Sequence, residues 1–334
     1  MAKKTAPTIY DVARTAGVSI ATVSRVLNDP QKVNDETRSS VFEAIRQLGY
    51  IPKAEARARA MQQNRRIGVI TPYFTAPSFV QRLRGVASAL NSTSYELVIY
   101  TVESTHKFYR YLETLPINHY LDGLIILSLQ FDDLFAQRLL EFGLETVLVE
   151  YPHRVLSSVE IDDQAGGRMA ADYLLSKGYQ RLAFLGDTVI PEFGIHPITL
   201  RLAGFRQRLA EAGHPLADKY VHTVPYDVDA TRRAARAILT RDDRPDAIFS
   251  ATDLQAVAIL KVARELGLRV PEDLAIMGFD DLDISEYVGL TTVRQHLDES
   301  GKIAAELLLS RITNRDRPVQ HIQLPLTIIE RDTA

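Results

Sequence analysis

Apolar positions repeat in two rhythms along this chain. Up to Leu48 they recur every three or four residues, with Val41, Ile45 and Leu48 on one stripe and Val23, Val26 and Leu27 on another. That is the period of a helix with one buried face. From Arg66 onward short apolar runs take over: RIGVITPYF, YELVIYTVE, DGLIILSL, TVLVEYP, SVEID, RLAFLGD, YVHTVPY, AIFSAT and LAIMGFDD. Each reads as a buried strand, and helical patterns separate most of them, beginning with one around Phe79 to Leu90. Strands alternating with helices predict a parallel, doubly wound α/β architecture.

The leading 50 residues carry helix punctuation. Thr8-Ile9-Tyr10-Asp11 has the form of a capping box and opens a helix over Ile9 to Ala16. Gly17 follows, where a left-handed residue turns the chain. Ser19 can cap a second helix, Ile20 to Asn28, and Asn34 or Asp35 a third that runs to Leu48 before Gly49. Two short helices joined by a tight turn containing Gly make a helix-turn-helix. Tyr50-Ile51-Pro52 then breaks the chain. KAEARARAM, Lys53 to Met61, has strong helix formers but no apolar face, and nine residues are marginal as an isolated helix. It reads as a segment that becomes helical when something binds it.

A weak internal repeat appears in the body. RIGVITP leads to RLRGVASAL from Arg82, and RLAFLGD leads to RLAGFRQRL from Arg201. Each is a strand, a loop and a helix with Gly at a matching position, which implies two similar lobes. Ligands of such sheets sit in crevices at the C-terminal strand ends, so a site between lobes is expected.

Charge adds a partner. The net charge of −3 hides an asymmetry: residues 1–66 hold 12 Lys and Arg against 6 Asp and Glu, the remainder 27 against 36. A patterned basic head on an acidic body points to a polyanion. Cysteine is absent, which excludes disulfides and thiolate chemistry. Apolar runs are too short to span a membrane, and MAKKTAPTIYDVA lacks the apolar stretch of a secretory signal, so a cytoplasmic location is expected.

The stretch VSIATVSRVLN joins these threads. On a helix, Ser24, Asn28, Ala21 and Arg25 cluster opposite the Val23–Val26–Leu27 stripe. That face is small and hydrogen-bonding, with one long cation. It suits a major groove: small residues allow close approach, hydroxyls reach phosphates, and Arg forks onto guanine. The whole segment TIYDVARTAGVSIATVSRVLNDPQKVNDETRSSVFEAIRQLGYIP, followed by IGVI, RLAGF and GLRVPEDLAIMGFDD, resembles the lactose/galactose repressor family over essentially the full chain.

The resemblance implies an all-α helix-turn-helix head (1–50), a hinge segment (51–64) and an α/β core (65–334) of periplasmic-binding-protein type with two doubly wound parallel sheets. The first lobe would take about 65–162 plus 293–321, the second about 163–292 plus 322–334. It also implies a homodimer on double-stranded operator DNA and a small-molecule effector, a sugar or derivative, between the lobes. By position, Ser19, Thr22, Ser24, Arg25 and Asn28 match DNA-facing residues, and Ile20 and Ala21 sit at the positions that choose the operator. Tyr10, Thr37 and Tyr50 match backbone contacts. Arg57 and Arg59 fall in the DNA-binding hinge, and Arg59 stands where the family places a leucine that wedges into the minor groove. An Arg suits a narrow, electronegative minor groove instead. Met61 is a substitute wedge on another face.

In the core, Arg201 and Asp280 match positions that hold sugar hydroxyls. Tyr226 falls near a stacking position, Tyr73 and Phe79 line the other lobe, and Glu150, Asp163 and Asp253 complete the expected effector contacts. The plainer alternative for Arg201 and Asp280 is that they pair with each other and hold the lobe together. An enzyme is not expected. GxGxxG, GxxxxGK[ST], HExxH and GxSxG are all missing, and the doublets Asp162-Asp163 and Asp280-Asp281 point to opposite faces, so neither is a dyad. No cofactor or metal is expected. The rival reading is a sugar-binding protein without DNA function, against which the head counts.

Overall fold

A computed structural model describes residues 7–28, 32–50, 64–187, 193–225 and 227–334, Asn28 by its backbone alone. Arg57, Arg59, Met61 and Tyr226 lie outside the described residues. Among the described residues the head has three helices, α1 (Ile9–Ala16), α2 (Ile20–Asn28) and α3 (Asp35–Leu48). Thr8 and Asp11 form the reciprocal capping box of α1, and the Asn34 side chain accepts from the Thr37 amide to cap α3. Gly17 and Gly49 end their helices at φ of 67° and 59°, where a Cβ would be strained. Val12, Val23, Val26 and Val41 are fully buried between the helices.

Two sheets of six strands follow. The first is built from β1 (Arg66–Pro72), β2 (Glu96–Val102), β3 (Gly123–Leu127), β4 (Glu145–Val149), β5 (Ser157–Glu160) and β11 (His321–Gln323), in the order β11-β5-β4-β3-β1-β2. The second uses β6 (Leu182–Asp187), β7 (Val221–Val224), β8 (Ala247–Ser250), β9 (Ala275–Asp280), β10 (Thr291–Arg294) and β12 (Thr327–Ile329), in the order β12-β10-β9-β8-β6-β7. Central strands β3, β4, β8 and β9 are buried along their whole length, as a parallel sheet covered on both faces requires. The edge strands β2 and β7 are only partly covered.

Two expectations change. QHIQLPLTIIE, read as one strand-like segment, is split around Pro325 into β11 and β12, one in each sheet, and β12 runs antiparallel to β10. Proline cannot donate to a ladder, so the break falls there. β10 carries no strand signal in the sequence, because TTVR is short and polar. Thr291 and Thr292 are nonetheless fully buried, and the Thr292 hydroxyl donates to Asp253. The chain crosses between sheets after β5, after β10 and after β11, the last two slightly later than expected.

Six helices position the cleft and the joint: α4 (Pro77–Leu90), α5 (Thr105–Asn118) and α6 (Asp133–Glu141) beside the first sheet, α7 (Asp163–Ser176), α8 (Pro197–Glu211) and α9 (Val228–Leu239) beside the second. α10 (Asp253–Glu265) and α11 (Asp283–Val288) complete the second lobe, and α12 (Leu297–Thr313) returns to the first. The α4–α12 and α7–α8 pairs cross on glycines. A Cβ on Gly85 would lie 1.8 Å from the Asp298 carbonyl oxygen, and one on Gly204 1.9 Å from that of Gln164. The head is docked rather than free-standing. Its apolar core continues into Ile117 of α5 and Phe142 after α6, and the Arg138 guanidinium lies 5.7 Å from the Phe42 ring and 5.8 Å from the Phe142 ring.

Candidate functional site

Between the lobes lies a cavity of about 440 Å³ at the C-terminal ends of the strands. Its first-lobe wall includes Tyr73, Phe79, Arg82, Ser128 and Glu150, and its second-lobe wall Asp187, Ile198, Arg201, Thr252 and Asp280. Gln295 lies at the crossing between them. Four of these residues hold positive φ: Tyr73 (45°), Ser128 (54°), Glu150 (67°) and Asp280 (128°). Left-handed backbone at non-glycine residues is costly and collects at ligand sites.

The polar floor is one connected network. Arg82, 3% exposed, pairs with Glu150, whose other oxygen accepts from the Ser128 hydroxyl. Arg82 also donates to Gln295 at 3.1 Å, and Gln295 in turn donates to Asp280. Arg201, equally buried, donates from Nε to Asp163 at 2.7 Å and from Nη1 to the Ala251 carbonyl at 2.7 Å. Its Nη1 lies 3.6 Å from Asp280, and its guanidinium sits 3.7 Å from the Phe279 ring centroid. Each arginine is therefore charge-compensated inside the protein.

Burial sets the protonation of the acids. It pushes the Asp280 carboxyl up to about 8, against the pull of Arg201. Asp187 is pushed up to about 6 by the same cause, again opposed by Arg201. Burial also raises Asp163 despite its bond to Arg201. For Arg201, burial opposes the charge, but Asp163 and Asp280 outweigh it and hold the cation above its ordinary value. The Oδ1 of Asp187 is buried with no protein hydrogen-bond partner among the described residues, and so is Nε2 of Gln255.

Tyr73, Phe79, Glu150, Arg201 and Asp280 thus come together as expected. Asp163 stands behind Arg201 and does not line the cavity. Asp253 is a correction. It is fully buried, and its carboxylate accepts from the Leu282 amide at 2.8 Å, the Ser285 hydroxyl at 2.6 Å and the Thr292 hydroxyl at 2.6 Å. It ties α10 to β10 and the start of α11, and it does not line the cavity. Neither doublet is a dyad, but strand geometry is not the reason: Asp162 and Asp163 open a helix, and Asp281 lies just past the end of β9. Asp280 faces the cleft while Asp281 turns to Arg294 and Arg331, and Asp162 caps α7 while Asp163 holds Arg201. Sequence reasoning missed Arg82, Ser128, Asp187 and Gln295. For Arg82 the signal was in view, since the repeat RLRG/RLAG aligns it with Arg201.

On the head, Tyr10 is 68% exposed and Ile20 40% exposed. Ser19, Ala21 and Arg25 are also exposed, and Thr22, Ser24 and Thr37 half-buried, so the polar side of α2 faces outward with Val23 and Val26 inward. Ser19 accepts from the Thr22 amide at 3.1 Å and caps α2 as expected. Tyr50 is placed otherwise than a surface contact would be: it is 6% exposed, packed in the head core beside the joint with Arg138 and Phe142, and burial raises its phenol. The Asn28 side chain lies outside the described residues.

Comparisons with known proteins agree with this arrangement. Residues 8–53 match bacterial regulatory proteins of the lacI family, and residues 171–334 match the periplasmic binding protein-like domain. The chain is 32% identical to the ribose operon repressor of Escherichia coli (strain K12), over 98% of this chain and 99% of that one. Among solved structures, a transcriptional regulator CelR–cellobiose complex matches with a TM-score of 0.70 and 32% identity, covering 98% of this chain and 100% of that one. The lac repressor dimer bound to operator and an anti-inducer matches with a TM-score of 0.69 and 25% identity, covering 98% and 99%. The chain belongs to the lacI family of bacterial regulatory proteins, which are DNA-binding transcription regulators and not enzymes.

Proposed function

We propose that this chain is a cytoplasmic, homodimeric repressor whose operator affinity is set by a small polar ligand, a sugar or sugar derivative, held between the lobes. The observation that carries it is the cavity floor, where Arg82 of one lobe and Arg201 of the other meet through Gln295 and Asp280. A ligand on that floor touches both lobes at once, so its binding energy depends on how they are closed. Differential affinity for two closures is what couples ligand to DNA. Arginine donors, carboxylate acceptors and the Tyr73 and Phe79 rings suit hydroxyls on an apolar ring. Both arginines are already neutralised by carboxylates, which disfavours an anionic ligand. The relatives point the same way: one is named a ribose operon repressor, and one structural neighbour holds cellobiose.

In the head, Ser19, Ile20, Ala21, Thr22, Ser24, Arg25 and Asn28 read one half-site, with Tyr10 and Thr37 on the backbone. Arg57 and Arg59 join them from the hinge. A two-fold partner supplies the second half-site.

The test is operator binding with and without each of a panel of sugars, at fixed salt. One sugar should raise the melting temperature of the protein and change its operator affinity some 5- to 150-fold, the range of about 1–3 kcal/mol of coupling. A panel that shifts melting but leaves operator affinity untouched overturns the coupling.

A further inference from the structure

The second lobe reaches across the cleft and inserts into the first. Between β6 and α8, Phe193–Ile195 lies on the first lobe. The Gln130 amide donates to the Phe193 carbonyl at 2.9 Å, and the Ile195 amide donates to the Ser128 carbonyl at 3.3 Å. Leu129 and Gly194 form an antiparallel bridge. The Phe193 side chain is 6% exposed and belongs to the hydrophobic core of the first lobe, with Phe131, Leu129 and Leu156, its ring 6.2 Å from that of Phe108. Gly194, Ile195 and Pro197 then line the cavity directly.

The placement matters mechanically. The three covalent crossings leave β5, β10 and β11, and β5 and β11 form one edge of the first sheet. Ser128 and Leu129 follow β3, two strands in from that edge. A non-covalent tether there acts away from the hinge line, so opening the lobes has to pull an aromatic side chain out of an apolar core and break main-chain hydrogen bonds. Two polar contacts from the first lobe add to it at the other rim. Gln81 donates to Asp283 at 3.0 Å, and Arg84 bridges Asp283 and Asp298, each at 2.7 Å.

We propose that Phe193–Ile195 is a cross-lobe clasp, which holds the lobes together in the absence of ligand and walls the cavity on that side. It deepens the reading of the cleft as an effector site, because the ligand then meets an already closed pocket with an apolar wall of Ile195 and Pro197. Release of Phe193 becomes the step that admits or frees the ligand.

The test uses full-length protein without ligand. Hydrogen exchange should show the Gln130 and Ile195 amides protected in the wild type and exchanging at least tenfold faster in Phe193→Ser, with Phe193→Leu restoring most of the protection. Because the chain has no cysteine, the exposed Ser92→Cys and Asp242→Cys on the outer ends of the two lobes give a spin-label pair once labelled protein is mixed with an excess of unlabelled protein, so that a dimer carries one labelled chain. Their separation should lengthen or broaden in Phe193→Ser and stay as in wild type in Phe193→Leu. Wild-type amides at Gln130 and Ile195 that exchange like an exposed loop overturn the clasp, whatever the variant does to folding. So does an unchanged label distance in a folded Phe193→Ser. Ligand screening is scored separately. If no sugar raises the melting temperature of wild type while the clasp behaves as described, the sugar reading fails and the clasp stands.

Discussion

Arg82 and Arg201 are quasi-equivalent residues of the two lobes, joined through Gln295 and Asp280 into a single buried chain of hydrogen bonds and charges. Each opens the RLxG stretch of the helix that follows the leading strand of its lobe, each is 3% exposed, and each is paired with a buried carboxylate, Glu150 or Asp163. The chain Ser128–Glu150–Arg82–Gln295–Asp280–Arg201–Asp163 contains no break at the lobe boundary. A rotation of one lobe against the other must rearrange it.

The first prediction concerns Arg201. Removing it leaves the Asp163 carboxylate buried without its cation, a loss of about 3–5 kcal/mol for a broken buried pair. Arg201→Ala should therefore lower the unfolding free energy of the core as well as remove a ligand contact. The two consequences separate with Arg201→Ala/Asp163→Asn, which removes the buried charge along with its partner. That variant should regain stability in urea unfolding without regaining any sugar-induced change in operator affinity. Regained sugar response would show that Arg201 is only structural.

The repeat makes a second prediction about glycines. Gly85 and Gly204 let α4 and α8 approach α12 and α7 at backbone distance. An added methyl would meet a carbonyl oxygen in each case, at 1.8 and 1.9 Å. Backbone cannot swing aside as a side chain can, so Gly85→Ala and Gly204→Ala should each cost at least the usual overpacking penalty of about 1–3 kcal/mol. Urea midpoints of the two variants check it, and a variant as stable as wild type would show that the helices separate without cost.

Much of the fold was legible in the sequence, and the reasons are local. The Thr8–Asp11 capping box, the Ser19 and Asn34 caps, Gly17 and Gly49 act within one turn, so the head helices are legible to within a residue. Apolar runs such as LIIL and VLV announce burial on both faces. TTVR did not, because its threonines are buried by virtue of partners far away, Asp253 and Thr333. Asp253 misled for the same reason. SATD places it one residue beyond the cavity-lining Thr252, and only the fold shows three donors waiting behind it. The resemblance implies a backbone contact at Tyr50, whereas its side chain packs into the head core. Nothing in the sequence of α3 tells that Ile117 and Phe142, 69 and 94 residues beyond Leu48, complete the head core.

A third prediction concerns DNA. Arg25 is exposed on the outward side of α2, near Ser24 and Ala21. If it forks onto a guanine, Arg25→Ala costs about 1–3 kcal/mol on the cognate operator and flattens the base preference at one position of each half-site. Binding to a library of half-site variants at constant salt reads this directly. An equal loss on random DNA would make Arg25 a phosphate contact.

The last prediction follows from the buried acids. Burial holds the Asp280 carboxyl up to about 8, above its ordinary value of 3.8. Between those two values the folded protein binds a proton that the unfolded chain has already lost. Stability rises with pH only where the unfolded state binds more protons, and here the folded state does. The Asp280 contribution is thus fully present below pH about 4 and is lost as pH rises toward about 8. Asp187, pushed up to about 6, acts in the same direction over a narrower window. Asp280→Asn removes the titrating proton and keeps an oxygen that can still accept from Gln295. Urea unfolding of the wild type should therefore weaken from pH 5 to pH 8 by more than that of Asp280→Asn, and the two curves should draw apart chiefly in that interval. Parallel curves would mean that Asp280 stays ionised throughout, its charge stabilised by Arg201 more strongly than burial opposes it.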